Sequence, residues 1–293
     1  MKIDIKGQRA YFKFRIEESS RKEVVMKRKP VVAGSFYPAS GSVLRRMIEQ
    51  MIDPAAAKIK AKAVVSPHAG YMYSGPVAGA VFGSVQIPKE CVILCPTHRG
   101  IRSMFALISE GSWETPLGDI PISAGLAAAL KQHSALIEED AEAHSGEHSL
   151  EVQLPFLQYL RPDVSFVPIC VSHLAGWAEL EELGLAVAAG IKDFRSDALI
   201  VASTDMSHYI SQESAKKKDF LAIGRALDLD PRGLFDIVRG QDISMCGFQP
   251  TVAALVAAKE LGASKGELVK YQTSGDVTGD LSAVVGYAGI RIV

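Results

Sequence analysis

Cysteine is scarce in this chain and never closely spaced. The four cysteines, Cys91, Cys95, Cys170 and Cys246, include no CxxC pair. Cys91 and Cys95 share one apolar run, and four residues along a strand span about 13 Å, too far for a disulfide. A disulfide-stapled secreted scaffold is therefore excluded, and a reduced cytoplasm is the expected location. No stretch reaches the roughly 18 uninterrupted apolar residues of a transmembrane helix. The basic N-terminus is followed by no apolar run of the kind a secretory signal needs.

Charge of one sign is also missing. Lys plus Arg number 32 and Asp plus Glu 33, so no global field draws the chain to nucleic acid or to an anionic membrane. The balance is uneven along the chain, however. Residues 1–29 hold ten Lys/Arg against four Asp/Glu, and the remainder holds 22 against 29. That basic head lacks the aromatics and glycines interleaved in RNA-binding segments and reads as a solvated extension. Residues 1–28 are assigned to it, and residues 29–293 to one domain. Met26 is the expected functional start, with residues 1–25 dispensable. GxSxG, Walker, GxGxxG and HExxH motifs are all absent, which removes support for serine-hydrolase, P-loop, Rossmann and zincin chemistry.

What is present is a 48% hydrophobic chain of 293 residues, long enough for a large core. Short β-rich runs cover Ala63–Ser66, Cys91–Cys95, Phe105–Ser109, Val164–Val171, Ala198–Ser203 and Val284–Ile292. Several are unbroken apolar runs, as expected for strands buried on both faces. Helical stretches fall at Val43–Ile52, Gly125–His133, Ala178–Lys192, Ser214–Leu227 and Thr251–Leu261, the last followed by Gly262 as a C-cap. The alternation predicts a three-layer α/β domain with a largely parallel mixed central sheet.

Four of the seven histidines sit just beyond strand ends: His68, His98, His173 and His208. Parallel strands bring their carboxyl ends to one sheet edge, where open α/β folds bind ligands. For His173 and His133 a turn or surface role is the better reading. His68 and His98 each follow a proline exit, Pro67 and Pro96, which keeps the imidazole on a short tether. Gly70 and Gly75 after His68 would let backbone approach a ligand. His148 and Glu151 share a helical face beside the buried stripe Leu150, Leu154 and Leu157. A surface ion pair and a pocket role are equally weighted for that pair, and Pro155 should kink the helix. Cys246 precedes a helix start, where the dipole favours thiolate. Asp205 and His208 form a carboxylate–imidazole pair suited to acid–base work, the carboxylate orienting the ring.

The chain resembles the Memo (mediator of cell motility) family. The likeness is carried, in family order, by the segments 29–39, Pro67 to Gly75, Cys95-Pro96-Thr97-His98, Trp113 to Gly118, His148 to Leu157, Ser203 to Tyr209, Cys246-Gly247 and Ser274 to Asp280. The resemblance implies the fold of the class III extradiol ring-cleaving dioxygenases, which hold iron with two histidines and a glutamate. It makes His68, His98 and Cys246 metal ligands, with Asp205 and His208 as the acidic and histidine pocket residues. Cysteine in place of the carboxylate softens the donor set toward copper or zinc as well as iron, away from ring cleavage. Two functions follow from the resemblance. One is a metal-dependent oxidoreductase-like protein acting on an unidentified small molecule or peptide, with radical-SAM and AMMECR-type proteins as partners. The other is a non-catalytic adaptor binding phosphorylated peptides in the same pocket.

Overall fold

The computed structural model describes residues 26–293. The segment 1–25, and with it the expectation that those residues are dispensable, lies outside them. In chain order the strands and helices are β1 (Lys27–Arg28), α1 (Gly41–Met51), β2 (Ala63–Ser66), α2 (Tyr71–Gly83), β3 (Glu90–Pro96), β4 (Phe105–Leu107), β5 (Ser112–Thr115), β6 (Gly118–Pro121), α3 (Ala124–Lys131), β7 (Ile137–Glu139) and α4 (Ala141–Ser145). A 3-10 turn at Glu151–Gln153 leads into α5 (Leu154–Leu160). There follow β8 (Ser165–Val171), α6 (Trp177–Phe194), β9 (Ala198–Ser203), β10 (His208–Ile210), α7 (Gln212–Leu227), α8 (Pro231–Gly240), α9 (Phe248–Glu260), β11 (Gly266–Thr273), α10 (Gly275–Thr278) and β12 (Val284–Ile292).

Nine strands form one mixed sheet in the order β10-β12-β2-β9-β3-β8-β4-β7, with β11 paired to the outer side of β12. Its centre, β2-β9-β3-β8, is parallel throughout. Alternation within these buried strands divides the core. Val92 and Leu94 face one apolar layer with α3, α6, α8 and α9, while Cys91, Ile93 and Cys95 face the layer of α1, α2 and α5. This period of two explains why the strands read as unbroken apolar runs: both faces are covered by helices. The three-layer α/β architecture with a mixed central sheet expected above is the one observed. All four cysteines are free.

Three local expectations are corrected. Pro155 occupies the first turn of α5, where its missing N–H costs nothing, so it starts the helix rather than kinking it. Gly75 serves helix packing rather than ligand approach: a Cβ there would lie 2.7 Å from Met51 Sδ on α1. The run after His68 is itself helix α2, whose Gly75 and Pro76 disguise it because neither is a helix former. Finally, the basic head is not solvated up to residue 28. Arg28 pairs through β1 with β5 and its side chain is buried.

Candidate functional site

The four parallel strands end together. Beyond β2 comes Pro67-His68, beyond β3 Thr97-His98, and beyond β9 Thr204-Asp205. Their common direction therefore brings three sequence-distant polar segments to one edge. The rings of His68 and His98 lie 5.4 Å apart between centroids. His148, from the loop before the 3-10 turn, joins them at 5.6 Å from His68 and 4.7 Å from His98. One ring nitrogen from each of the three lies within 4.8 Å of the others.

Hydrogen bonds set which nitrogen the His68 and His98 rings present. Ser203 Oγ donates its single proton to the Ser149 carbonyl at 2.7 Å. It must therefore accept from His68 Nδ1, 2.9 Å away, which makes His68 Nε2 the acceptor nitrogen. The Glu147 carboxylate accepts from His98 Nδ1 at 2.9 Å, so that ring also keeps Nε2 for a ligand, and it lies 3.5 Å from His148 Nδ1, a charge contact rather than a hydrogen bond. A carboxylate or hydroxyl behind each imidazole is the arrangement that orients metal-binding histidines. Burial would raise the Glu147 carboxyl, but hydrogen bonds from His98 and the Ser149 N–H more than offset it and hold it well below its usual range. The same bond raises His98 above its ordinary value against the opposing effect of burial. Burial, followed by the nearby His148 and His98 rings, keeps His68 well below it and hence neutral.

The remaining candidates fall around this trio. Cys246 Sγ is 3.2 Å from His68 Nε2 and accepts the Asp205 N–H at 3.3 Å. Burial and the Asp205 carboxylate push its thiol up, so the thiolate expected from the helix dipole is not the resting form. The sulfur is instead a donor to His68. Cys246 reaches its place because Gly247 lies against β9's end, where a Cβ would fall 2.2 Å from the Ser203 carbonyl oxygen. Asp205 is buried, accepts the His68 backbone N–H at 2.8 Å, and has its carboxyl raised to about 6 by burial. It does not orient His208. That ring donates from Nδ1 to the Ser244 carbonyl at 2.8 Å, and residues 208–210 form a strand rather than a helical turn.

Sequence reasoning missed Glu147 and underweighted His148. The one available signal was their adjacency, a carboxylate beside an imidazole. Glu151 belongs to neither role considered for it. It is fully buried, contacts Arg28 at 2.7 Å, and accepts from Tyr37 Oη and the Val31 and Val32 N–H groups. It anchors the N-terminal segment beneath His148. His173 is exposed and His133 pairs with Asp193 at the surface, as anticipated.

A histidine cluster at the carboxyl edge of a mixed α/β sheet, running from buried His68 to exposed His98, defines the class of this protein. The Memo-like protein family model matches residues 28–291, and the chain belongs to the Memo family. It is 42% identical over 279 residues to a MEMO1 family protein of Methanopyrus kandleri, covering 90% of this chain and 98% of that one. It is 41% identical over 275 residues to a MEMO1 family protein of Methanothermobacter thermautotrophicus, covering 90% and 99%. In fold it is similar to an uncharacterized protein of Escherichia coli K12, with a TM-score of 0.54, 16% identity, and coverage of 78% and 99%. None of the described helices is long and apolar enough to cross a membrane.

Proposed function

We propose that the pocket holds one transition-metal ion and that the protein is a metal-dependent oxidoreductase-like member of its family. The supporting observation is the convergence of the His68, His98 and His148 nitrogens within 4.8 Å, with His68 and His98 hydrogen-bonded through Nδ1 to an oxygen and the Glu147 carboxylate 3.5 Å from His148 Nδ1. Three imidazoles suit iron, copper or zinc. Cys246 flanks His68 and is the donor that could complete or soften the set once its proton is lost. Bound metal would supply Lewis acidity or electron transfer. His208, fixed through Nδ1, keeps Nε2 available to accept or return a substrate proton, and Asp205 holds the His68 backbone in register.

The adaptor reading requires these rings to act as hydrogen-bond donors to an anion. A neutral His68 whose one N–H is already used by Ser203 is a poor donor, which favours the metal reading. Metal content of anaerobically purified protein decides between them. About one ion per chain, lost in His68→Ala and His98→Ala, is expected. A folded protein free of iron, copper and zinc that binds phosphopeptide would overturn the proposal.

A further inference from the structure

At the opposite edge of the sheet, where β2, β3 and β9 begin, lies a cleft of about 720 Å³. Its lining includes Lys60, Lys62, Arg161, Lys192 and Arg195, with Asp197 as the one carboxylate. In a chain of 32 basic and 33 acidic residues, five cations around one concavity is a strong local excess. Lys60 is paired with Asp197 at 2.7 Å, Arg161 with Asp163 at 2.6 Å, and Lys192 lies 3.9 Å from Glu260. Among the described residues no carboxylate lies within 4 Å of Lys62 or Arg195. The lining also includes the apolar side chains of Ile87, Ile191 and Leu261.

Arg195 adds an independent sign. It caps α6 in the left-handed conformation, φ 55 and ψ 32, a position where glycine or asparagine is the ordinary occupant. An arginine placed there costs stability, and strain of this kind concentrates where a side chain has a task. Its guanidinium is the group best shaped to hold a phosphoryl oxygen pair.

We propose that this amino-edge cleft binds a small ligand carrying two or more linked phosphoryl groups. Lys62 and Arg195 would supply the direct contacts, with Lys60 and Lys192 adding field. Concave cation-lined sites concentrate such anions, and a volume of about 720 Å³ with apolar side chains in its lining leaves room for an attached nucleoside. Nothing in this inference depends on the metal reading, since His68 and Lys62 lie at opposite ends of β2, about 20 Å apart at six residues of extended chain.

Calorimetric titration of the full chain with inorganic pyrophosphate, ATP, adenosine and a short acidic peptide tests it. Saturable binding of pyrophosphate and ATP is expected at about 100 mM salt, with none for adenosine or the peptide. A nucleotide arm tighter than pyrophosphate places the nucleoside against the apolar part of the lining, and equal affinities confine recognition to the phosphates. Lys62→Gln should weaken binding at least about tenfold, the loss of one charge-assisted contact. Arg195→Gly should do the same while keeping or raising the melting temperature, because it relieves the backbone. The control pair Lys216→Gln and Lys217→Gln, exposed on α7, should leave binding unchanged. Equal weakening by the control pair, full binding in Arg195→Gly, comparable binding of the acidic peptide, or no saturable heat up to about 5 mM each overturn the site.

Discussion

Arg28 and Glu151 meet at 2.7 Å with almost no exposed surface on either side chain, across 123 residues of sequence. The guanidinium also donates to the carbonyls of His144 and Glu147 and stacks over Trp113. One charge pair thus ties the N-terminal strand to the segment that carries Glu147 and His148. Removing one partner from a buried pair leaves an uncompensated charge, at about 3–5 kcal/mol. Arg28→Met should therefore lower the melting temperature by roughly 10 °C for a domain of this size. Starting the chain at Met26 should leave it within a few degrees of the parent, whereas starting at Pro30 should reproduce the Arg28→Met loss. Thermal melts of the three variants check this, and an unchanged Pro30 variant would show the pair to be dispensable.

Glu147 stands behind two imidazoles, so its effect on metal should exceed its effect on folding. Glu147→Gln keeps the side chain's volume and can still accept from the His98 N–H, but removes the charge that enriches the ring. Loss of such outer partners typically costs 10–100-fold in metal affinity. Competition against a chromophoric chelator should show a weakening in that range. Should affinity stay within twofold, Glu147 is only a structural acceptor.

How far the site was legible depended on the distance over which each signal acts. Strand ends before His68, His98 and Asp205 are local patterns, and parallel pairing turns them into one edge, so those three were readable. His148 enters from a loop whose path is set by the buried Glu151–Arg28 pair, a contact between segments far apart in sequence. Burial of Glu151 cannot be read from its helical spacing, which is equally consistent with a surface pair. Helix α2 was hidden for a different reason. Its Gly75 and Gly79 are poor helix formers, tolerated because α1 packs where their side chains would be. Likewise Ser244 holds His208 both through its carbonyl, at Nδ1, and through its Oγ, which accepts the His208 backbone N–H at 2.8 Å, a pairing across 36 residues that no local pattern announces.

His144 supplies an acid limb that does not involve the metal-binding rings. It is buried, its Nε2 donates to the Ala106 carbonyl at 3.0 Å, and burial lowers its pKa from 6.5 to about 4. The unfolded chain therefore binds the extra proton between about pH 6.5 and 4, so folding stability falls as pH drops through that window. The full effect approaches about 3 kcal/mol at the acid end. His144→Gln, which can still donate to Ala106, should lose part of its stability at pH 7.5 but show a flatter decline. Urea unfolding at pH 7.5, 6.5, 5.5 and 4.5 gives the comparison, and parallel curves for the two proteins would dismiss His144 as the titrating group.

The final test separates histidine from cysteine as the third donor. His148 shares the 4.8 Å spacing with His68 and His98, whereas the contact Cys246 makes with that trio is to His68. Its thiol is also held in the protonated form by burial and by Asp205, so binding through sulfur must expel a proton and grows stronger with pH. If the imidazoles carry the ion, His148→Ala should lower zinc or iron affinity by two orders of magnitude or more, and Cys246→Ser by about tenfold or less. Substituting cobalt(II) adds a second readout, because a thiolate ligand gives an intense near-ultraviolet charge-transfer band and an imidazole set does not. That band should be weak in the parent at pH 7 and absent in Cys246→Ser. A strong band at pH 7, together with an intact affinity in His148→Ala, would make Cys246 the third ligand and His148 a neighbour that only shapes the pocket.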